Sequence, residues 1–131
     1  MTFNEAHRRL RFRHAIEAGQ LNAEITLVVV DKPGAPVIEK AQKRGIDVFA
    51  FNPKDYPSKP DYEREIIARC QAHGVEWIAL AGYMRLLSPV MLEAYDQRIV
   101  NIHPSLLPAF KGKDAIGQAI EYGVKVMGVT I

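Results

Sequence analysis

Several features that reveal function in other proteins are scarce or absent in this sequence. The 131 residues contain one cysteine, Cys70, so neither an internal disulfide nor a cysteine pair with metal-ligand spacing is possible. The longest apolar run, from Ile78 to Gly82, is far below the roughly 18 residues that span a bilayer, and the N-terminus has no apolar signal region. We therefore expect a soluble protein of the reducing cytoplasm.

Neither sign of charge is in excess. Seventeen basic residues face fifteen acidic ones, for a formal net charge of +2, which is too weak a field to indicate a nucleic-acid or membrane-surface protein. The one dense basic cluster, His7 to His14, includes Phe12 and has the side chains to stack on a nucleic acid. We interpret it instead as a solvated helix or a face left by a missing partner segment. Small-molecule partners are expected, and self-association is left open.

Helix and strand patterns alternate along the chain. Helices are expected at about 4–19, 36–44, 61–73, 89–95 and 114–123, and strands at about 25–30, 46–51, 75–82, 98–103 and 125–131. This order predicts one α/β domain over residues 1–131, Rossmann-like and doubly wound, with a mostly parallel sheet and right-handed crossovers. Such folds begin with a strand, whereas this chain begins with a helix and ends inside a predicted strand. We therefore expect a partial domain that lacks its first strand and its C-terminal part.

Two polar residues at the end of one predicted strand are candidates for catalysis, since ligands of open α/β sheets bind at the carboxyl ends of strands. In "RIVNIHPSLLPAFKG", Asn101 and His103 alternate with apolar residues, which places both on one side of the strand. Imidazole exchanges a proton near neutral pH, and an amide can donate to an oxygen that gains negative charge. A strand-end histidine is more often structural, but Pro104 and Pro108 stiffen this loop and favour a site.

The turn "AGYMRLLS" is a candidate for ligand binding. Gly82 permits a close backbone approach, while Met84, Leu86 and Leu87 place an adaptable apolar wall around Arg85. Such a turn suits a flat, partly apolar ligand with an anionic end. A plain strand-to-helix connection with a solvated Arg85 fits the same residues equally well.

Two other residues receive structural interpretations. Asp31 follows a predicted strand and is expected only to cap the local backbone of a turn. Trp77, with apolar neighbours, is expected in the core. The chain contains no CxxC pair, HExxH helix, Walker loop or GxGxxG turn, so the corresponding metal, redox and nucleotide sites are not predicted.

Two stretches, "LAGYMRLLSP" and "NIHPSLLPAFKGKDAIGQAIEYGVKVMGVTI", closely resemble the folate-dependent formyltransferases. The likeness runs from about Leu21 to Ile131, and Asn-x-His-Pro-Ser-Leu-Leu-Pro is highly specific to that family. "GKDAIGQAI" favours the phosphoribosylglycinamide formyltransferase branch over the methionyl-tRNA branch. The resemblance implies a fold of the formyltransferase type and a metal-free transfer of a formyl group from 10-formyltetrahydrofolate to the amine of glycinamide ribonucleotide in de novo purine biosynthesis.

The resemblance also implies roles for individual residues. His103 matches the catalytic acid of the family, and Asn101 matches the carboxamide that polarises the formyl oxygen of the bound folate. Lys59 falls where the family has a basic folate contact. The folate-binding segment of the family matches Met84, Arg85, Leu86 and Leu87.

Two parts of the family pattern have no counterpart in the sequence. "MTFNEAH" stands where the family has a strand and a Gly-x-Gly-Ser-Asn turn that binds the ribonucleotide phosphate, and the family's catalytic Asp would follow Ile131. These differences predict that the 131 residues alone transfer formyl groups far more slowly than a chain with the full family pattern. Two alternatives stay open: a formyltetrahydrofolate hydrolase or related formyltransferase, which shares the Asn and His, and a non-catalytic folate-binding or interaction module.

Overall fold

Strands and helices alternate in the computed structural model, which describes residues 14–83 and 85–131. The elements are β1 (Leu27–Val30), α1 (Pro36–Gln42), β2 (Asp47–Ala50), a 3-10 turn (Pro53–Asp55), α2 (Lys59–Ala72), β3 (Ile78–Leu80), α3 (Pro89–Ala94), β4 (Ile99–Asn101) and α4 (Ala115–Tyr122). Residues 14–17 are helical as well, whereas residues 18 and 19 of the predicted first helix form a turn. Residues 4–13 of that helix, with all of the basic cluster except His14, lie outside the described residues. The predicted α/β order is confirmed.

The described strands form two parallel pairs. β1 pairs with β2 from Leu27↔Asp47 to Val30↔Ala50, and β3 pairs with β4 from Ile78↔Ile99 to Leu80↔Asn101. Parallel neighbours need a crossover connection, which α1 provides in the first pair and α3 in the second. The predicted parallel pairing is confirmed, but in the described part of the chain it occurs as two sheets of two strands each.

The helix starts follow from local sequence. A proline in the first turn, where a missing N–H is tolerated, begins α1, α2 and α3; these residues are Pro36, Pro60 and Pro89. α4 begins differently, because the carboxylate of Asp114 accepts a hydrogen bond from the backbone N–H of Gly117 at 3.1 Å. Asp114 therefore caps α4 at the position where the sequence predicts its start.

One apolar core joins both strand pairs to α2 and α3. Its buried residues are Phe49, Phe51, Tyr62, Ile66, Cys70, Met91 and Tyr95. The rings of Phe49 and Phe51 stack with centroids 5.4 Å apart, and Phe51 contacts Tyr62 at 5.2 Å. Leu27 and Val29 of β1 and Ile78 and Ile99 of the second pair also pack against this cluster. The shared core therefore holds the two strand pairs in a common framework.

Two expectations about the fold are wrong. Trp77 is 59% exposed because β3 begins only at Ile78, so that Trp77 precedes the paired strand. The segment 125–131 is not a strand: its one pairing contact is an antiparallel bridge between Thr130 and His103. Alternating apolar residues at its end remain exposed instead of entering a sheet; among them are Val129 and Ile131.

In the part of the chain that the structure describes, no helix has the length and apolar character required to cross a lipid bilayer.

Candidate active site

The predicted site residues come from segments that follow neighbouring strands. Leu80 is the last residue of β3 and pairs with Asn101, the last residue of β4. Residues 81–88, the β3–α3 turn, and residues 102–114, the β4–α4 loop, therefore begin side by side at the carboxyl edge of this pair. Ligands of parallel α/β sheets bind at that edge.

His103 is half-buried at the start of the β4–α4 loop and is held by its backbone and its ring. Its N–H donates to the carbonyl oxygen of Thr130 at 2.9 Å, and its own carbonyl oxygen accepts from Thr130 N–H at 3.0 Å. The ring nitrogen Nε2 lies 2.9 Å from the carbonyl oxygen of Phe110. Because a carbonyl can only accept, Nε2 carries a hydrogen, and Nδ1 is the ring nitrogen that the Phe110 carbonyl does not occupy.

The β4–α4 loop is fixed by side-chain hydroxyls as well as by its prolines. The Thr130 hydroxyl donates to the carbonyl oxygen of Ser105 at 2.7 Å and accepts from Leu107 N–H at 2.9 Å. Ser105 is only 1% exposed, and its hydroxyl donates to the carbonyl oxygen of Ala109 at 2.6 Å. No local pattern in the sequence indicates the Thr130 contacts, since they bridge about 25 residues of chain that only folding brings together.

Phe110 supplies the carbonyl that orients His103. Its φ of 50° lies in the left-handed region, where a residue with a side chain is strained by about 1–2 kcal/mol. The ring of Phe110 meets that of Tyr122 in α4 edge to face, with centroids 5.8 Å apart. Packing on α4 therefore helps to retain the backbone conformation that presents this carbonyl to the imidazole.

Asn101 lies at the end of β4 with an exposed side chain. In residues 14–83 and 85–131, no side-chain hydrogen bond involves its amide, so the amide is available to a ligand. Asn101 and His103 are thus two residues apart at the carboxyl edge, one exposed and one oriented by a backbone carbonyl. The arrangement can combine a hydrogen-bond donor with a proton-exchanging group.

Arg85 of the β3–α3 turn forms an ion pair with Asp31, which follows β1. Nε of Arg85 donates to Oδ2 of Asp31 at 3.0 Å, and the hydrogen bond to this carboxylate raises the pKa of Arg85. The expectation that Asp31 only caps local backbone is therefore wrong, because its carboxylate binds a guanidinium 54 residues away. The ion pair links the turn to the first strand pair.

Lys59, the first residue of α2, reaches the same turn. Its Nζ donates to the carbonyl oxygen of Leu86 at 2.9 Å. The Leu86 side chain is 84% exposed, whereas Leu87 packs against the apolar core. Of the predicted apolar wall, Leu86 faces solvent and Leu87 faces the interior, while Met84 lies outside the described residues.

Glu63 of α2 anchors the end of the β3–α3 turn. It is fully buried, and its carboxylate accepts hydrogen bonds from Ser88 N–H, at 3.0 Å to Oε1, and from the Ser88 hydroxyl. Ser88 occupies the N-cap position of α3, as predicted, but its hydroxyl makes no capping bond to the helix. The hydroxyl bonds to Glu63 instead, a pairing across 25 residues for which the sequence carries no local signal.

The site offers binding groups of two kinds. Lys59 and Arg85 bring positive charge, and the exposed Leu86 brings apolar surface. Within residues 14–83 and 85–131, no three His, Cys, Asp or Glu side chains are grouped so as to hold a metal ion. The residues present suit an organic ligand with an apolar face and an anionic part.

The sequence matches one family model and several characterised proteins. The model described as "Formyl transferase" matches residues 3–131. The phosphoribosylglycinamide formyltransferase of Bacillus subtilis (strain 168) is 54% identical over 110 residues, which cover 84% of this chain and 56% of that protein. The human trifunctional purine biosynthetic protein adenosine-3 is 36% identical over 110 residues, which cover 84% of this chain and 11% of that protein. The chain therefore spans little more than half of the Bacillus protein.

Solved structures show the same likeness. Glycinamide ribonucleotide transformylase 1 from Geobacillus kaustophilus superposes with a TM-score of 0.91 and 52% identity, over 96% of this chain and 67% of that chain. Phosphoribosylglycinamide formyltransferase from Bacillus halodurans superposes with a TM-score of 0.86 and 52% identity, over 89% of this chain and 60% of that chain. Agreement at this level in both sequence and backbone confirms the fold.

Proposed function

The chain belongs to the formyl transferase family, and we propose that it transfers a formyl group from 10-formyltetrahydrofolate to the amine of glycinamide ribonucleotide in de novo purine biosynthesis. The observation that carries the proposal is the position of Asn101 and His103 at the carboxyl edge, beside the β3–α3 turn. In this proposal both substrates are small molecules and the reaction takes place in the cytoplasm.

The β3–α3 turn has the surface that a folate requires. A folate combines a flat heterocycle with a carboxylate-bearing tail, and it supplies the activated formyl group. The exposed Leu86 side chain can pack on an apolar face, and the Arg85 guanidinium and Lys59 ammonium can attract carboxylates. Arg85 is itself about half exposed beside Asp31, so one side of its guanidinium remains open to a ligand.

Asn101 and His103 have complementary tasks in this reaction. When an amine attacks a formyl carbon, negative charge develops on the formyl oxygen, and a donor aimed at that oxygen lowers the barrier. The exposed Asn101 amide can provide one hydrogen bond. His103 keeps its Nε2 hydrogen on the Phe110 carbonyl, so Nδ1 is the ring atom that can exchange a proton with the reactants.

The test measures folate binding and formyl transfer with the same purified protein. Binding of 5-formyltetrahydrofolate is followed by calorimetry, and formylation of glycinamide ribonucleotide by 10-formyltetrahydrofolate is followed by mass spectrometry. We expect His103→Gln to lower the transfer rate by about 100-fold or more, while folate affinity stays near that of the unsubstituted chain. His73→Gln, a control at the far end of α2, is expected to leave the rate unchanged.

Three results would contradict the proposal. Formyl loss to water that does not depend on glycinamide ribonucleotide would indicate a hydrolase. Folate binding without any transfer would indicate a non-catalytic binding module. If the chain binds neither the folate nor glycinamide ribonucleotide, it is neither a formyltransferase nor a folate-binding module.

A further inference from the structure

Glu63 is a fully buried charged side chain that the proposed reaction does not use. Removing a carboxylate from water is costly, and replacing buried charged groups by apolar ones of similar size is often neutral or stabilising. Its neighbours in the same helix, Tyr62 and Ile66, are also buried and belong to the apolar core. Stability alone therefore does not explain a glutamate at this position.

The bonds of Glu63 set the position of one particular residue. Both carboxylate oxygens bind Ser88, one through the backbone N–H at 3.0 Å and the other through the hydroxyl. A serine at an N-cap normally stabilises its own helix by bonding the backbone of the first turn. Ser88 makes no such bond, so a local stabilising contact is exchanged for a link from α3 to α2.

Glu63 acts beside a second contact from the same helix. Lys59 lies one helical turn earlier, on the same face of α2, and its Nζ donates to the carbonyl oxygen of Leu86 at 2.9 Å. α2 thus holds alternate residues of the turn, Leu86 and Ser88. On the other side, Arg85 is tied to Asp31 at 3.0 Å.

The result is a short segment with fixed ends and an exposed apolar side chain between them. Residues 85–88 are bound through Arg85, Leu86 and Ser88, while the Leu86 side chain is 84% exposed. Holding an exposed apolar side chain in place costs conformational entropy without burying its surface. The restraint is therefore useful only if this surface must meet a ligand in one geometry. Restraint before binding lowers the entropy that a ligand has to offset.

We propose that Glu63 is a positioning residue for the folate: through Ser88 its carboxylate holds the β3–α3 turn in the shape that receives the ligand. This inference rests on the proposed function, since it presumes that the turn binds a folate. Glu63 itself does not contact the ligand.

The experiment compares two substitutions in the 131-residue chain, with 5-formyltetrahydrofolate as the probe. Glu63→Leu fills the site but removes both acceptors. Glu63→Gln keeps one oxygen for Ser88 N–H, and its NH₂ can donate to the Ser88 hydroxyl, which then acts as acceptor. We expect Glu63→Leu to raise the Kd of the folate by about tenfold and Glu63→Gln to restore most of the affinity.

Circular dichroism separates positioning from a purely structural role. Positioning predicts a higher Kd for Glu63→Leu with little change in Tm. A structural role predicts a lower Tm with an unchanged Kd for the folded molecules, and this result would overturn the inference. Glu93→Leu, which removes an exposed carboxylate from α3, is the matched control and is expected to bind like the unsubstituted chain.

Three further outcomes are decisive. If Glu63→Leu does not fold, Ser88→Ala removes only the hydroxyl link, and we expect it to raise the Kd about threefold; an unchanged Kd would overturn the inference. If the unsubstituted chain does not bind the folate, the proposed function fails and the inference fails with it. If the unsubstituted chain binds and both substitutions leave the Kd unchanged, only the inference is refuted.

Discussion

Replacing Thr130 by valine should destabilise the protein through the loop that holds His103. Valine has nearly the shape of threonine but lacks the hydroxyl, which donates to the Ser105 carbonyl oxygen at 2.7 Å and accepts from Leu107 N–H at 2.9 Å. The backbone bridge between Thr130 and His103 does not depend on the side chain. The substitution therefore isolates the two hydroxyl contacts.

The size of the effect follows from how exposed each partner is. Leu107 is about half exposed, so water can replace the lost acceptor and the cost is about 0.5 kcal/mol. Ser105 is 1% exposed, and a carbonyl left unpaired in such surroundings costs about 1–2 kcal/mol. We expect a total loss of about 2 kcal/mol in the free energy of unfolding.

Urea unfolding followed by circular dichroism measures this loss. With an m-value of about 1.5 kcal/mol/M, the midpoint should fall by about 1.3 M urea without a change in slope. Thr130→Ser keeps the hydroxyl and should lose less than about 1 kcal/mol, the contribution of one methyl group. A valine variant as stable as the unsubstituted chain, or a serine variant equally destabilised, would refute the assignment to the hydroxyl.

Two other substitutions test separate parts of the fold. The carbonyl oxygen of Arg69, 2.8 Å from Nδ1 of His73, and the carboxylate of Asp47, 3.0 Å from Nε2, raise the pKa of His73 above its usual 6.5. The resulting stabilisation is fully present below pH 6.5 and is lost as the pH rises through the raised pKa. Between about pH 6 and pH 8.5, the urea midpoint should therefore fall more for the unsubstituted chain than for His73→Gln. Equal falls in the two proteins would contradict this assignment. Asp114→Ala removes the α4 cap and places alanine at a φ of 54°, so we expect the free energy of unfolding to fall by about 2 kcal/mol. Asp114→Asn keeps an oxygen that can cap the helix and should lower the Tm little in thermal unfolding. Equal losses for the two variants would exclude the cap as the cause.

Patterns with a short period were predictable from the sequence. The helix expected at 61–73 is observed at Lys59–Ala72, and the one expected at 36–44 is observed at Pro36–Gln42. A proline at a helix start and the spacing of apolar residues act over a few positions, so residues that are close in sequence are enough to predict these helices. The predictions were wrong where one apolar pattern fits both a buried strand and an exposed segment. The apolar residues of 125–131 stay exposed, and the exposed Trp77 lies just before β3.

The locations of the candidate site residues were predictable, but the contacts that orient them were not. Asn101 and His103 were expected at a strand end, where the structure places them. The partners of the site, Asp31 for Arg85 and Glu63 for Ser88, are 54 and 25 residues distant. Such pairs depend on how helices and strands pack, and a single sequence holds no local record of that packing.

The two parallel strand pairs have a consequence for how the chain folds. In each pair the partners are neighbours along the chain, so pairing closes a loop of only about 20 residues. Two units of this size can form independently of each other. The entropic cost of the contacts between distant residues then arises only when both units pack on α2. We therefore expect the β1–α1–β2 and β3–α3–β4 units to gain amide protection early in refolding, before the β4–α4 loop closes on Thr130.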